Sequence, residues 1–216
     1  MSEPVRLPKP TLERFPRYLR VLRKRAEEGE KYISSANLGS ELGVQEFQVR
    51  KDLTHVDTNG RPGKGYDIEE LVNDIEELLG LNNVREAVVV GAGRLGQALT
   101  EYPGFARYGL KIVALFDNDP EKVGQEVSGV PIVEHDKMVD LVRRMAISQA
   151  IITVPAEDAQ EVADKLVAGG VMGIWNFAPE VLEVPPGVYV RNEDLAVGLA
   201  ALSHHVANSP GKQKQL

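Results

Sequence analysis

The chain has 216 residues, of which 43% are hydrophobic, enough for two modest domains that each bury a core. It contains no cysteine, which excludes a disulfide framework, a cysteine-ligated zinc site and every thiol redox switch, so any redox sensing must act through a bound ligand. The net charge of −7 hides an asymmetry: residues 1–66 hold 13 Lys and Arg against 9 Asp and Glu, while residues 67–216 hold 12 against 23, so only the first segment is suited to lie against phosphate.

Leu12, Phe15, Leu19 and Leu22 recur near helical spacing and predict a first helix that stops at Glu27-Glu28-Gly29. A short helix from Ser35 to Leu42, a tight turn at Gly43 and a third helix from Val44 to about His55 complete a helix-turn-helix order. Asn59 to Tyr66 is too rich in Gly and Pro for a helix and suits a hairpin or wing. A connecting helix, Ile68 to Leu79, ends at Gly80.

From residue 84 short apolar runs alternate with helical segments, the pattern of a parallel sheet covered by helices. The runs are Ala87–Val90, Ile112–Phe116, Val130–Val133, Ala150–Val154 and Gly173–Phe177, with Val188–Val190 as a last strand. Helices are expected over Leu95–Arg107, Asp136–Met145 and Ala159–Ala168, and a final helix over Asn192–Ala207 precedes a polar tail. The fold class is therefore α/β: a winged helix-turn-helix over residues 1–80, a Rossmann-type domain over 81–191, and a C-terminal helix and tail over 192–216. No run approaches the ~20 apolar residues of a membrane span. The polar start, with Ser2, Glu3, Arg6 and Lys9, lacks the apolar stretch of a signal peptide and predicts a cytoplasmic protein.

Gly91-Ala92-Gly93-Arg94-Leu95-Gly96 follows a predicted strand and opens a predicted helix, the context that gives G-x-G-x-x-G its meaning. The first Gly permits the turn, the second lets backbone approach a pyrophosphate, and the third lets helix and strand pack. Asp117, 21 residues beyond Gly96 at the end of the second strand, can accept hydrogen bonds from adenosine ribose hydroxyls, which favours NAD(H). The following Asn118 and Asp119 supply no Arg to neutralise a 2′-phosphate, so NADP(H) should bind poorly. Asp119 itself reads as the cap of the turn at Pro120.

A dehydrogenase needs a proton donor or acceptor beside the nicotinamide and a substrate pocket. No Tyr-x-x-x-Lys occurs, His55 falls in the N-terminal unit and His135 in a loop, and His204 and His205 lie on the last helix. No catalytic or metal residue is assigned. On the third helix, Val49 and Leu53 share one face while Phe47, Arg50 and Lys51 share another, with Gln48 beside them. An outward aromatic flanked by cations fits DNA, through guanine, phosphate and thymine-methyl contacts, and Arg61 and Lys64 on the wing can reach the adjacent backbone or minor groove. An oxidoreductase and a CoA-binding or nucleotide-binding ligase subunit, with His135 as its phosphorylatable residue, remain the alternatives.

The chain resembles the redox-sensing transcriptional repressors called Rex. The resemblance rests on Tyr18-Leu19-Arg20, on Phe47-Gln48-Val49-Arg50-Lys51-Asp52-Leu53, on the wing ending Gly63-Lys64-Gly65-Tyr66, and on Gly91 to Gly96. It continues through Tyr102-Pro103-Gly104-Phe105, Phe116-Asp117, Trp175-Asn176-Phe177-Ala178-Pro179 and Asn192-Glu193-Asp194-Leu195. It implies a homodimer with an exchanged C-terminal helix that binds double-stranded palindromic operators when NAD⁺ prevails and releases them when NADH binds. Within that frame Arg20, Tyr102 and Asp194 are expected to form the coupling element, with Tyr102 on the helix begun at the phosphate loop. A carboxylate between an Arg and a Tyr hydroxyl can choose either partner.

Overall fold

The structure is a computed structural model and describes residues 7–208. The chain divides into two compact units, Met1–Asn83 and Val84–Leu216.

In the first unit α1 spans Lys9–Glu27, with Pro10 in its first turn and Lys24 and Arg25 in its last, where they complement the helix dipole. Phe15, Tyr18, Leu19 and Leu22 are fully buried on it. Leu12, placed on the same stripe by its spacing, is instead exposed, because Thr11 and Tyr18 take up the seam with the third helix through hydrogen bonds to Asp52. α2 covers Ser35–Leu42, capped by the Ser34 hydroxyl, which accepts from the Asn37 N–H, and closed by Gly43 at φ 65°. α3 is shorter than its pattern suggested, Glu46–Leu53, since Val44 and Gln45 still belong to the turn. β1, Tyr32–Ile33, pairs antiparallel with β2, Tyr66–Asp67, so the chain from 59 to 66 is a wing closed by an Arg61–Gly65 bridge. Asp67 then caps α4, Ile68–Leu79, which ends on Gly80 in the left-handed conformation.

The second unit is a seven-stranded sheet. Its strands are β3 (Arg85–Val90), β4 (Leu110–Asp117), β5 (Glu126–Val127), β6 (Val130–Glu134), β7 (Gln149–Ile152), β8 (Gly173–Asn176) and β9 (Tyr189–Asn192), in the order β5-β6-β4-β3-β7-β8-β9. All pairs are parallel except β5 with β6. Without the β5 edge this is the doubly wound 3-2-1-4-5-6 order, in which strand order reverses between β3 and β7 and leaves a ligand crevice. α6 (Met138–Arg144) and α7 (Ala156–Gly169) supply Met138, Val142, Val162 and Leu166 to the core on one face. The other face packs Leu99 and Phe105 against Ala87, Val89 and Leu115.

The single helix expected over Leu95–Arg107 is two pieces. α5 spans Arg94–Thr100 and a 3-10 turn spans Phe105–Tyr108, because Pro103 removes a backbone N–H and disfavours helix at Tyr102. Asn192 belongs to β9 rather than to the last helix, α8, which runs Leu195–Ala207. The tail after Asn208 lies outside the described residues. No helix among the described residues is long and apolar enough to cross a membrane.

Candidate functional site

A cleft of about 450 Å³ opens at the carboxyl ends of β3, β4 and β7, lined by Gly91, Gly93, Asp117, Lys122, His135 and Thr153 among others. That volume suits part of a dinucleotide. The three glycines of the loop occupy different geometries. Gly91 sits at φ +100° where a Cβ would meet the Thr153 carbonyl oxygen at 2.8 Å, Gly93 has open space where a Cβ would point, and a Cβ on Gly96 would overlap the Gly91 carbonyl oxygen. Thr153 fastens the turn by donating from Oγ1 to the Val90 and Gly91 carbonyls at 3.0 and 2.9 Å. No side chain caps the N-terminus of α5, so its first N–H groups are available to a phosphate. Gly93 and Arg94 are exposed and Leu95 is half-buried, while Ala92 and Gly96 are buried in the turn.

Asp117 is 8% exposed. Its Oδ2 accepts from the Ala92 N–H at 2.7 Å and its Oδ1 from the Asp119 N–H at 2.9 Å. Burial pushes its pKa up, but these N–H groups and Lys122 outweigh that and hold it below the usual carboxylate range. Lys122 lies 3.3 Å from Oδ2 and 3.5 Å from Asp119. The sequence pattern offered only an Arg as a neutralising partner, and this lysine was not foreseen: the site holds two carboxylates, Asp117 and Asp119, and one ammonium. Asp119 accepts from the Glu121 N–H at 2.9 Å, as a turn cap does. His135 lines the cleft from a 3-10 turn after β6, with Lys165 Nζ 3.5 Å from its Nδ1. Thr153 and Lys165 went unnoticed in the sequence, and His135 was considered there only as a phosphorylatable loop residue, although Thr153 lies at the end of a predicted strand and strand ends are where such ligands bind.

On α3 Phe47 is 63% exposed, and Arg50 and Lys51 are exposed with it, while Val49 and Leu53 are buried. Arg50 Nη2 pairs with Glu46 at 2.5 Å. Gln48 is half-buried and turned toward the seam with α1, donating from Nε2 to Asp52 at 3.0 Å. Asp52, 1% exposed, accepts in addition from Arg14, Tyr18 and Thr11. On the wing Arg61 is tied back, donating to the Tyr32 hydroxyl and Glu70 at 3.0 Å each, and with Lys64 it flanks the Tyr32 ring, each cation 5.5 Å from the centroid. Lys64 keeps its ammonium exposed beside that ring, so of the two wing cations Lys64 is the freer.

Arg20 is exposed on α1. Tyr102 is not on the helix that starts at the phosphate loop, as expected, but in the turn after it; it is exposed, with its ring 5.1 Å from Phe105. Phe105 in turn lies 5.9 Å from Trp175. Asp194 caps α8, accepting from the Ala196 and Val197 N–H groups at 2.8 and 3.3 Å. Arg20 belongs to the first unit and the other two to the second.

A family model described as "CoA binding domain" matches residues 82–180, and one described as "Putative DNA-binding protein N-terminus" matches residues 6–54. The redox-sensing transcriptional repressor Rex of Streptomyces coelicolor is 41% identical over 207 residues, 96% of this chain and 80% of the relative. The Rex of Carboxydothermus hydrogenoformans is 43% identical over 201 residues, covering 93% of this chain and 97% of the relative. The crystal structure of RSP in complex with β-NAD⁺ and operator DNA matches with a TM-score of 0.89 at 34% identity, over 94% of this chain and 93% of that one. RSP in complex with β-NADH matches with a TM-score of 0.84 at 33% identity, over 94% and 95% of the two chains. These likenesses span both units, where the two family models each cover one, and this chain belongs to the Rex family of redox-sensing transcriptional repressors.

Proposed function

We propose that this chain represses transcription according to the NADH/NAD⁺ balance, holding palindromic operator DNA as a homodimer and releasing it when NADH enters the switch-point cleft. The observation that carries this reading is the joining, in one chain, of that cleft with its Gly91–Gly96 loop and Asp117 to a helix-turn-helix whose third helix bears Phe47, Arg50 and Lys51 on an exposed face. Gly91 to Gly96 cradle the pyrophosphate and Asp117 the adenosine ribose. Residues 1–80 serve DNA, 81–191 serve NAD(H), and 192–216 serve dimerisation; nothing in this reading calls for catalysis, and the protein works in the cytoplasm. α8 exposes Leu195, Val197, Leu199, Leu202 and Val206, an apolar surface that exchange with a second subunit would remove from water. A gel-shift titration with a palindromic operator tests the whole reading: NADH should release the DNA and NAD⁺ should not, and binding indifferent to NADH overturns it.

Arg50 already pairs with Glu46, but an exposed i,i+4 pair is worth only about 0.3–0.5 kcal/mol, whereas a bidentate guanine contact contributes roughly 1–3 kcal/mol. Arg50→Ala should therefore cost about 1–3 kcal/mol of operator affinity and relax one base position, while Lys64→Ala weakens all sequences alike. Unchanged operator affinity in Arg50→Ala would remove α3's outer face from the interface.

The switch runs through Arg20, Tyr102 and Asp194. Palindromic half-sites demand recognition helices about 34–36 Å apart or a multiple of that, so a modest rotation between subunits breaks the match. Asp194 at the start of α8 is free to exchange a helix-capping role for an Arg or Tyr partner across subunits, and the two arrangements supply the bistable element. Tyr102→Phe and Asp194→Ala should each keep NADH binding yet lose much of its effect on operator affinity, a coupling of order 1–3 kcal/mol. Both variants releasing DNA with NADH as readily as the parent, at equal cofactor affinity, would point to a different switch.

A further inference from the structure

The wing from residue 59 to 66 is closed by its backbone: Arg61 and Gly65 form a bridge, and Gly63 and Gly65 turn the chain at φ +73° and +89°. No side chain of the wing itself hydrogen-bonds to those of Arg61 or Lys64 among the described residues. The group that gathers these two cations lies outside the wing, on β1. The Tyr32 ring has Arg61 Cζ and Lys64 Nζ each 5.5 Å from its centroid and Lys31 Nζ at 5.8 Å, all inside the ~6 Å within which the negative face of an aromatic ring attracts a cation. Its hydroxyl also accepts from Arg61 Nη1 at 3.0 Å. Two cations that are each 5.5 Å from one point are at most 11.0 Å apart, about one Debye length at 0.1 M salt, so they repel one another. One carboxylate, Glu70, pairs with Arg61 at 3.0 Å. Lys31 and Lys64 are exposed and pair with no carboxylate among the described residues.

We infer that Tyr32 is a positioning residue of the DNA interface: its ring gathers Lys31, Arg61 and Lys64 into one cationic surface for the phosphates of the DNA backbone, and Lys31 joins the wing cations as a phosphate contact. This rests on the proposed role of the wing in DNA binding. A long cationic side chain gives up rotamer freedom when it is fixed on a phosphate, and a ring that restricts it beforehand lowers that cost. The contact with the ring need not be given up on DNA. An ammonium has three N–H donors and a guanidinium five, whereas the ring draws on their charge. Three cations against one carboxylate leave a surplus of positive charge, and backbone phosphates are the anions that relieve it. Phosphate contacts carry no base sequence, so this surface should serve operator and non-operator DNA alike.

Affinities of the full-length protein for operator and for non-operator DNA, measured by fluorescence anisotropy over a range of salt concentrations with NAD⁺ present, test this. Tyr32→Leu should weaken binding to both DNAs by roughly 2- to 5-fold per cation released, the range of one exposed cation–π contact. Tyr32→Phe, which keeps the ring, should recover most of that loss. Lys31→Ala should reduce the salt slope by about 0.9. The positioning itself is read by a double-mutant cycle: Lys64→Ala should cost less in the Tyr32→Leu background than in the parent. An equal cost in both backgrounds, or Tyr32→Phe as weak as Tyr32→Leu, overturns the role of the ring, and a salt slope unchanged by Lys31→Ala overturns the role of Lys31. A lowered urea midpoint for Tyr32→Leu would let a folding defect imitate the loss, and the parent alone then decides by NMR. Its Lys31 and Lys64 ε-methylene protons should show ring-current shifts both free and on the operator; shifts that vanish on DNA overturn the inference. Lys64→Ala without effect on any DNA in the parent would instead sink the reading of residues 59–66 as a DNA-binding wing.

Discussion

Asp52→Ala should destabilise the N-terminal unit by about 3 kcal/mol, toward the lower end of the roughly 3–5 kcal/mol lost when one partner of a buried ion pair is removed. Asp52 is 1% exposed and gathers Arg14, Tyr18, Thr11 and Gln48, so alanine strands several donors at once. They do not suffer equally. The Arg14 side chain is 18% exposed and can turn partly to water, but Tyr18 is fully buried and its hydroxyl loses the 2.7 Å bond to Asp52 away from water. This places the loss below the upper limit. Urea unfolding followed by circular dichroism should show a lower midpoint at an unchanged m-value, the mark of lost stability rather than altered compactness. A midpoint within experimental error of the parent would mean that the cluster contributes nothing net.

The same cluster sets an acid response. Burial raises the pKa of Asp52, and the bonds from Arg14, Tyr18, Gln48 and Thr11 more than reverse this, bringing it from 3.8 to about 2. A depressed folded-state pKa contributes stability above the unfolded value, and that contribution is lost as pH falls from about 4 through about 2. Burial and the Asp52 bond together push the Tyr18 hydroxyl well above its ordinary range, so it remains a donor throughout.

The parts of the molecule legible in the sequence are those governed by short-range rules. α2 and α4 match their predicted limits to the residue, because Ser34, Gly43, Asp67 and Gly80 fix helix ends by local capping. The Gly91–Gly96 loop stood out through its glycine spacing between a strand and a helix, but the contact of Gly91 and Gly96 with Thr153 is long-range and was not legible. β1 and β5 escaped notice because a two-residue strand carries no periodicity. The break at Tyr102 was available in the Pro103-Gly104 pair but was overridden by the apolar pattern. Long-range chemistry was not legible at all: Asp52 meets Thr11, Arg14 and Tyr18 across 41, 38 and 34 residues, and no local pattern announces such a contact. Gln48 therefore read as a free contact residue when one of its N–H groups is engaged by Asp52, and Arg61 as a free wing cation when it is bound to Tyr32 and Glu70.

For the cofactor site the expected result is that Asp117→Ala weakens NADH binding by roughly 10- to 150-fold, corresponding to about 1.5–3 kcal/mol for hydrogen bonds to a charged group. Two losses act together. The ribose hydroxyls lose their carboxylate acceptor, and the Ala92 N–H, in a residue that is fully buried, loses the 2.7 Å bond that holds the loop. The substitution also frees Lys122 from its 3.3 Å contact with Asp117, leaving Asp119 at 3.5 Å as its acidic partner. The local charge then changes from two carboxylates and one ammonium to one of each, so a 2′-phosphate no longer meets net negative charge and discrimination against NADPH should shrink. Asp117→Asn separates the two losses: its carbonyl oxygen can still accept from Ala92, so it should relax NADPH discrimination as alanine does while losing less NADH affinity. Calorimetric titration of both cofactors against the parent and the two variants reads all of these terms. Equal binding of NADH and NADPH by the parent would remove Asp117 from cofactor selection, and equal NADH losses in the alanine and asparagine variants would remove the Ala92 bond from the account.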